Sequence, residues 1–341
     1  MLKKYIKKYG LPLVILGGLG KLASIISVFG IYGHWFVSLL PEKSESITLY
    51  LEPNKTSEEH LMYLEKEVDR LGGHGDRLTR VLSWRGWSER MIPGKYELKE
   101  GESIGDFAHK LATGDRESVR VVVPAGRDLE VIAGKISMHI FADSLELLNA
   151  IRPDSIRWKV IPNTYEMWWE TDAEGAVKRL LKESNIWWNS ERLEKATKQK
   201  LSAEEVVILA SIVQAETSAL SEAPIVSGLY LNRLKIGQAL QADPTLIYAW
   251  NDLSITRVLD KHKKIDSPYN TYMYTGLPPG TIRTPEPTYI DAVLNPTDHT
   301  FLYMCAEPGA TGKHVFEKHY RNHLKNARKY QRWLNKNKIY R

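Results

Sequence analysis

The chain has 341 residues, 43% of them hydrophobic and 26% charged, so it can bury a core and falls outside the disordered class. Its net charge of +6 is uneven: residues 1–10 carry four lysines and no acid, residues 313–341 carry ten Lys/Arg against Glu317 alone, and the body between holds 33 basic and 40 acidic side chains. A mildly acidic body argues against a nucleic-acid-binding domain, and the single cysteine, Cys305, excludes an intramolecular disulfide and a thiolate metal centre. Cys305 lies in the apolar run Phe301–Ala306 and is expected to be a small buried hydrophobe. The absence of HExxH, Walker-A and GxGxxG motifs leaves zinc-hydrolase, nucleotide-hydrolase and dinucleotide chemistry without support.

From Gly10 to Leu40 the chain is apolar apart from Lys21, His34 and a few small polar residues. The stretch Leu22–Leu40 alone approaches the ~20 residues that a bilayer crossing requires. Lys3, Lys4, Lys7 and Lys8 precede it, and the positive-inside rule places residues 1–9 in the cytoplasm and everything after Leu40 outside it. A cleaved signal peptide with its apolar core at 11–20 is the alternative. No small-x-small site follows that core and the apolar run continues past it, so the expectation is an uncleaved single-pass anchor over 10–40, with His34 at the interface.

Beyond the anchor, Ile47–Leu51 has the pattern of a short strand and Ser57–Arg70 that of a helix with Leu61, Leu64 and Val68 on one face. Gly72-Gly-His-Gly75 breaks that helix. Pro93–Gly101 follows as a turn, strand and turn and Ser103–Thr113 as a second helix, which makes a small sheet covered by helices over 47–118. Arg120–Val123 begins a strand that opens a second domain. Residues 158–188 hold Trp158, Trp168, Trp169, Trp187 and Trp188, five of the ten tryptophans. Core filling is favoured for them over stacking on sugar rings.

Ser202-Ala-Glu-Glu205 is a capping box, and the almost wholly apolar run Val206–Val213 predicts a helix buried nearly all round. Glu216 lies seven residues after Leu209, four after Ile212 and three after Val213, so it leaves an apolar face near the helix C-terminus. Gln214 points away from it. Desolvation and the negative end of the helix dipole both raise the pKa of a carboxyl placed there, as a general acid requires. On composition alone, a glutamate that escapes to solvent past the last turn stays open.

The stretch Ala210–Thr217 is followed by Val226-Ser-Gly-Leu-Tyr-Leu-Asn-Arg-Leu-Lys-Ile-Gly237, then Leu240-Gln-Ala-Asp-Pro-Thr-Leu-Ile-Tyr248, Ser267-Pro-Tyr-Asn-Thr-Tyr272 and Gly276-Leu-Pro-Pro-Gly-Thr-Ile282. Lys313-His-Val-Phe316 and His323 complete the set. This ordered series resembles the MltG (YceG-like) family of endolytic murein transglycosylases, strongly over 200–316 and more weakly over 90–200. The resemblance implies an α+β fold with an N-terminal transmembrane helix, a small LysM-like α/β domain and a larger mixed α+β catalytic domain. The boundaries expected are 1–46 for tail, helix and linker, 47–118 for the LysM-like domain and 119–341 for the catalytic domain with its basic C-terminal helix, about 317–341. Gly94 and Tyr96 are the clearest LysM-like matches.

The family's catalytic glutamate directly precedes the threonine of its motif, which makes Glu216 the implied catalytic residue. Asn232, Arg233, Gln241, Asp243, Tyr269 and Asn270 carry the polar groups of the matched motifs and are the implied glycan contacts, with helix capping and turn formation as their ordinary alternatives. Two departures stand out: Ala125-Gly126 where the family has Glu-Gly, and Asn163 where it has Asp before Thr-Tyr. The implied reaction cleaves the MurNAc–GlcNAc β-1,4 bond of nascent strands, with the C6 hydroxyl as attacking group and no water, metal or cofactor. His314, His319 and His323 are then structural. The implied location is the inner membrane, with peptidoglycan strands as substrate, synthesis proteins as candidate partners, and no nucleic acid. A lysozyme-type hydrolase with Glu222 or Asp243 as second carboxylate, and a non-catalytic wall-binding scaffold, are the rival functions. Contact of the basic C-terminal helix with anionic lipid or wall polymers is a further expectation, beside plain solvation.

Overall fold

The computed structural model describes residues 33–337 except 253, 256, 257 and 310. Most of the expected membrane crossing lies outside the described residues. Among the described residues no helix is long and apolar enough to cross a membrane. The chain divides into two compact units, the first ending at Val119 and including Glu166–Glu170, the second formed by Arg120–Tyr165 and Thr171 onward.

The first unit contains β1 (Ile47–Leu51), α1 (Ser57–Arg70), α2 (Gly75–Trp84), β2 (Gly94–Leu98) and α3 (Ile104–Thr113). β1 and β2 pair antiparallel with Leu49 opposite Tyr96, and the period-2 alternation turns Leu49, Leu51, Tyr96 and Leu98 into the core. A Thr56–Glu59 capping box starts α1, which buries His60, Leu64 and Val68. The glycine-rich run after it is a turn between two helices, since Gly75 already belongs to α2. Ser103 caps α3 and Gly114, at φ +72°, ends it.

This unit also corrects the extent of the expected crossing. Leu39 and Leu40 are 0% and 2% exposed in its core. The Ile104 N–H donates to the Val37 carbonyl at 2.9 Å, and the Leu39 N–H to the Glu102 carbonyl at 2.9 Å. Trp35 lies so close to Gly105 that a β-carbon there would stand 2.2 Å from the indole. The apolar character of Trp35, Val37, Leu39 and Leu40 therefore serves a protein core and not a lipid phase, which hydropathy alone does not distinguish.

The chain continues through β3 (Ser118–Val123), α4 (Leu129–Ser137), α5 (Ser144–Ile151), α6 (Asp154–Arg157), β4 (Asn163–Trp168), α7 (Ala173–Trp187), α8 (Ser190–Lys198), α9 (Ala203–Glu216), α10 (Ala223–Lys235), α11 (Asp243–Trp250), α12 (Pro287–Leu294), β5 (Tyr303–Ala306), β6 (His314–Glu317) and α13 (Tyr320–Lys336). β3 pairs with β4, and β5 pairs antiparallel with β6 so that Cys305 faces Val315. The architecture is mixed α+β, as expected. α13 begins three residues later than the sequence suggests, because His314–Glu317 are used in β6.

α9 is the central helix of the second unit, and Val206–Val213 are all buried against α8, α10, α11 and α12. Trp188 is buried in the same core, with Trp187 against it edge-on at 5.0 Å and Trp158 packed beside them. Trp169 rests on Tyr50 in the first unit, with ring centroids 4.8 Å apart. The tryptophan-rich segment is thus largely structural.

Candidate active site

α9 determines where Glu216 goes. The Ser202–Glu205 capping box sets its start, the apolar surround sets its rotation, and the Thr217 N–H closes its last turn on the Val213 carbonyl. The Tyr289 hydroxyl donates to the Thr217 carbonyl at 3.1 Å and pins the exit of the chain to α12. Gln214 faces elsewhere, its Oε1 accepting the Glu286 N–H at 2.8 Å, so one carboxylate leaves this helix end toward the cavity beside it.

That cavity, of about 320 Å³, is lined by Glu216, Tyr230, Arg233, Gln241, Asp243 and Tyr272, and on its other side by β5, His314, Tyr320 and His323. Tyr230, fully buried on α10, donates its hydroxyl to Glu216 Oε1 at 2.9 Å. Burial pushes the Glu216 carboxyl up to about 7; the hydrogen bond from Tyr230 works against this, nearby Asp243 adds to it, and Arg233 opposes it. The same burial, with Glu216 beside it, raises the Tyr230 phenol well above its usual range, so it remains a donor. Arg233 is 7% exposed, donates from Nε to the Leu302 carbonyl at 2.7 Å and from a second nitrogen to the Leu240 carbonyl, and has its pKa lowered by burial. A buried guanidinium tied to carbonyls supplies fixed positive potential near the Glu216 carboxyl.

Tyr272 donates to Asp243 Oδ1 at 2.5 Å, and Gln241 is held with φ +48° by its own N–H to the Thr271 carbonyl. A non-glycine residue in the left-handed region is strained, and here the strain lies at the cavity edge. Glu222, 6% exposed, accepts the His314 backbone N–H at 2.9 Å and contacts its Nδ1 at 3.0 Å, which leaves the other ring nitrogen free of this pairing. Among the described residues no group of three or more His, Cys, Asp or Glu side chains converges to hold a metal ion.

Comparison with known proteins bears on this arrangement. A model of the YceG-like family matches residues 53–329, which runs from just after β1, through α1 to α3, to within α13 of the second unit. The chain belongs to the YceG-like family. Its similar relatives include an endolytic murein transglycosylase of Bacillus subtilis, 29% identical over 264 residues that cover 70% of this chain and 72% of the relative. An endolytic murein transglycosylase of Streptococcus pneumoniae is 22% identical over 355 residues, 89% of this chain but 63% of the relative, so the chain spans less than two thirds of that protein. A solved yceG-like protein of Listeria monocytogenes shares the fold with a TM-score of 0.53 at 22% identity, covering 82% of this chain and 98% of that one.

In this YceG-like chain the cavity gathers Glu216, Arg233, Gln241 and Asp243 of the residues expected from sequence. The other three lie outside it. The Asn232 amide donates to the His299 and Phe301 carbonyls, at 2.8 and 3.2 Å. Asn270 is fully buried, its amide donating to the Lys263 and Ile265 carbonyls while its Oδ1 accepts the Tyr272 N–H. Tyr269 stacks at a tilt on Tyr248, with centroids 4.8 Å apart. The two amides organise loops, the turn-forming alternative noted for these motifs. Neither departure from the family pattern lines the Glu216 cavity: Gly126, after Ala125, exchanges backbone bonds with Thr284, and Asn163 Oδ1 accepts the Thr164 N–H.

Sequence reasoning missed Tyr230, Tyr272 and Tyr303 and gave His314 no place in the site. Tyr230 was the most accessible of these, a polar-tipped residue within an apolar helical run two positions before Asn232. Cys305 is half-buried on β5 and lines the cavity rather than lying deep in the core, with burial raising its thiol pKa.

Proposed function

We propose that this protein is an endolytic murein transglycosylase in which Glu216 is the single proton-transfer residue. The observation that carries this reading is a carboxyl held near pKa 7 in the same cavity as Arg233 and hydrogen-bonded through one oxygen by a buried phenol. Because Oε1 accepts the Tyr230 hydrogen bond, the acid proton belongs on Oε2. Glu216 delivers that proton to the glycosidic oxygen as the MurNAc C1–oxygen bond breaks. Its carboxylate then takes the proton of the MurNAc C6 hydroxyl as that oxygen bonds to C1. The GlcNAc side leaves with a free hydroxyl and the MurNAc side as a 1,6-anhydro end, so no water is consumed. Intramolecular geometry replaces the second carboxylate of an ordinary glycosidase.

A second reading has its own observation, since Asp243 lines the same cavity. As a base for water it would make the protein a hydrolase. The Tyr272 hydroxyl engages its Oδ1 and leaves Oδ2 for that role. Incubating the protein with uncross-linked glycan strands and analysing the ends by mass spectrometry separates the two. Anhydro ends from wild type, absent with Glu216→Gln, are expected; reducing MurNAc ends would transfer the assignment to the hydrolase, and unchanged cleavage by Glu216→Gln would remove Glu216 from the chemistry.

The remaining parts follow from composition and topology. The anchor belongs to the apolar stretch expected over 10–40, short of Leu39 and Leu40, with residues 1–9 in the cytoplasm and the folded units outside. The strand–helix–helix–strand order from β1 to β2 supports a LysM-like, glycan-binding first unit. An anchored cutter of this kind acts on strands as they leave the synthesis machinery and terminates their elongation.

A further inference from the structure

The second unit contains a larger cavity, of about 740 Å³, to which the reaction assigns nothing. It is lined by Arg127, Arg152 and Arg157, with Tyr248 of α11 between Arg127 and Arg157 in their interactions. Arg157 is 8% exposed; it donates to the Tyr248 hydroxyl at 2.8 Å and its Nε is buried with no partner. Arg127 donates to the Ile247 carbonyl at 3.0 Å, with its pKa lowered by burial and by neighbouring Arg283. The one carboxylate ion pair recorded among the described residues that line the cavity is Arg152 with Glu130, at 3.8 Å between two exposed side chains. Residues outside the described set contain no Asp or Glu. A buried guanidinium with an unpartnered nitrogen, as in Arg157, is costly, and the arginine fork matches a carboxylate.

The same cavity carries acids already committed elsewhere. Asp128 caps α4 by accepting the Glu130 N–H at 2.8 Å, and Asp252 accepts the Ser254 N–H at 2.8 Å. A lining of both signs disfavours a polyanion such as a phosphate chain and suits a short peptide that bears carboxylates beside amide or amine groups. The volume also exceeds what a lone inorganic ion fills. Asp243 and Tyr248 lie five residues apart on α11, about 7.5 Å along the helix and about 140° around it, so the two cavities share one helix on different faces. One lines the Glu216 cavity and the other this one.

We propose that Arg127 and Arg157 recognise a carboxylate of the peptide stem carried by the glycan strand, so that cleavage depends on the stem as well as on the sugars. The proposal rests on the murein reading above, and its test separates the two. The full-length protein in detergent is titrated calorimetrically with L-alanyl-γ-D-glutamate, with its diamide and with inorganic phosphate. The dipeptide is expected to bind at least tenfold more tightly than either. Arg127→Gln should weaken it about tenfold, Arg157→Lys less than Arg157→Gln, and Glu216→Gln not at all. Equal binding of the diamide, or binding of phosphate as tight as that of the dipeptide, overturns the proposal.

Cleavage is then compared on strands with intact stems and on strands stripped by an amidase. The ratio of kcat/KM for the two should fall about tenfold in Arg127→Gln, with stripped strands cut as by wild type. An unchanged ratio refutes stem recognition. Failure of wild type to cut either strand refutes the transglycosylase reading instead, and the titration still judges the pocket.

Discussion

The Tyr230 hydroxyl hydrogen-bonds Glu216 Oε1 at 2.9 Å across the α9–α10 packing, so the proposed acid is held by a residue fourteen positions further along the chain. This bond favours the charged carboxylate and opposes the desolvation that raises its pKa. Removing it in Tyr230→Phe should raise the Glu216 pKa further. The alkaline limb of the cleavage pH profile, lying near pH 7 in wild type, is expected to move upward, while the maximal rate falls about tenfold because the carboxyl loses its orientation. A profile of unchanged midpoint would show that Tyr230 does not tune Glu216.

The raised pKa has a stability consequence of definite sign. A carboxyl that titrates near 7 when folded and near 4.5 when unfolded binds its proton more tightly in the native state, so stability falls as pH rises through that window. Glu216→Gln removes the cost of the buried charge. Its melting temperature should exceed that of wild type at pH 8, by the equivalent of about 3 kcal/mol, and match it below about pH 4.5. Equal melting temperatures at both pH values would contradict a raised pKa.

Glu222 ties β6 to the end of α9 through two bonds to His314 and one longer contact, 3.4 Å, from the Thr217 hydroxyl. Glu222→Ala leaves these buried partners unsatisfied and should cost about 2–3 kcal/mol in denaturant unfolding. It should also lower cleavage at temperatures where the variant is folded, because His314 lines the cavity. A neutral effect on both would mean that β6 is held by its pairing with β5 alone.

Gly228 allows α10 to approach the segment that carries His299. A β-carbon there would stand 2.6 Å from the Thr297 carbonyl oxygen and 2.8 Å from His299 Nε2. Gly228→Ala should destabilise the protein by about 1–3 kcal/mol through overpacking, despite the better helix propensity of alanine. Stabilisation would show that the 297–299 segment yields freely.

Gln241 adopts φ +48°, in the region that favours glycine. Gln241→Gly should gain about 0.5–1 kcal/mol of stability and lose activity, the signature of a strained residue kept for its side chain. Loss of stability with unaltered activity would assign Gln241 a structural role.

Local chemistry was legible in the sequence wherever short-range rules decide. The Ser202–Glu205 capping box, the apolar surround of α9 and the register that turns Glu216 and Gln214 apart depend on residues a few positions away, and all three are present. β1, α1 and β2 fall within the residues expected, for the same reason. The mixed α+β architecture and the family followed from motifs in fixed order.

Long-range packing decided the rest. Asn232 looks like a ligand-binding amide in sequence, but the His299 and Phe301 carbonyls, from a segment 67 and 69 positions away, take its hydrogen bonds. Leu39 and Leu40 look like the end of a membrane span, but the backbone of residues 102–104 pairs with their segment and draws them into a core. The pKa of Glu216 depends on Tyr230, Arg233 and Asp243, and the pairing of Glu222 with His314 joins residues 92 positions apart. Sequence periodicity records which face of an element is apolar; which element meets that face, and whether a polar atom finds a partner or a cavity there, is fixed only when the chain closes on itself.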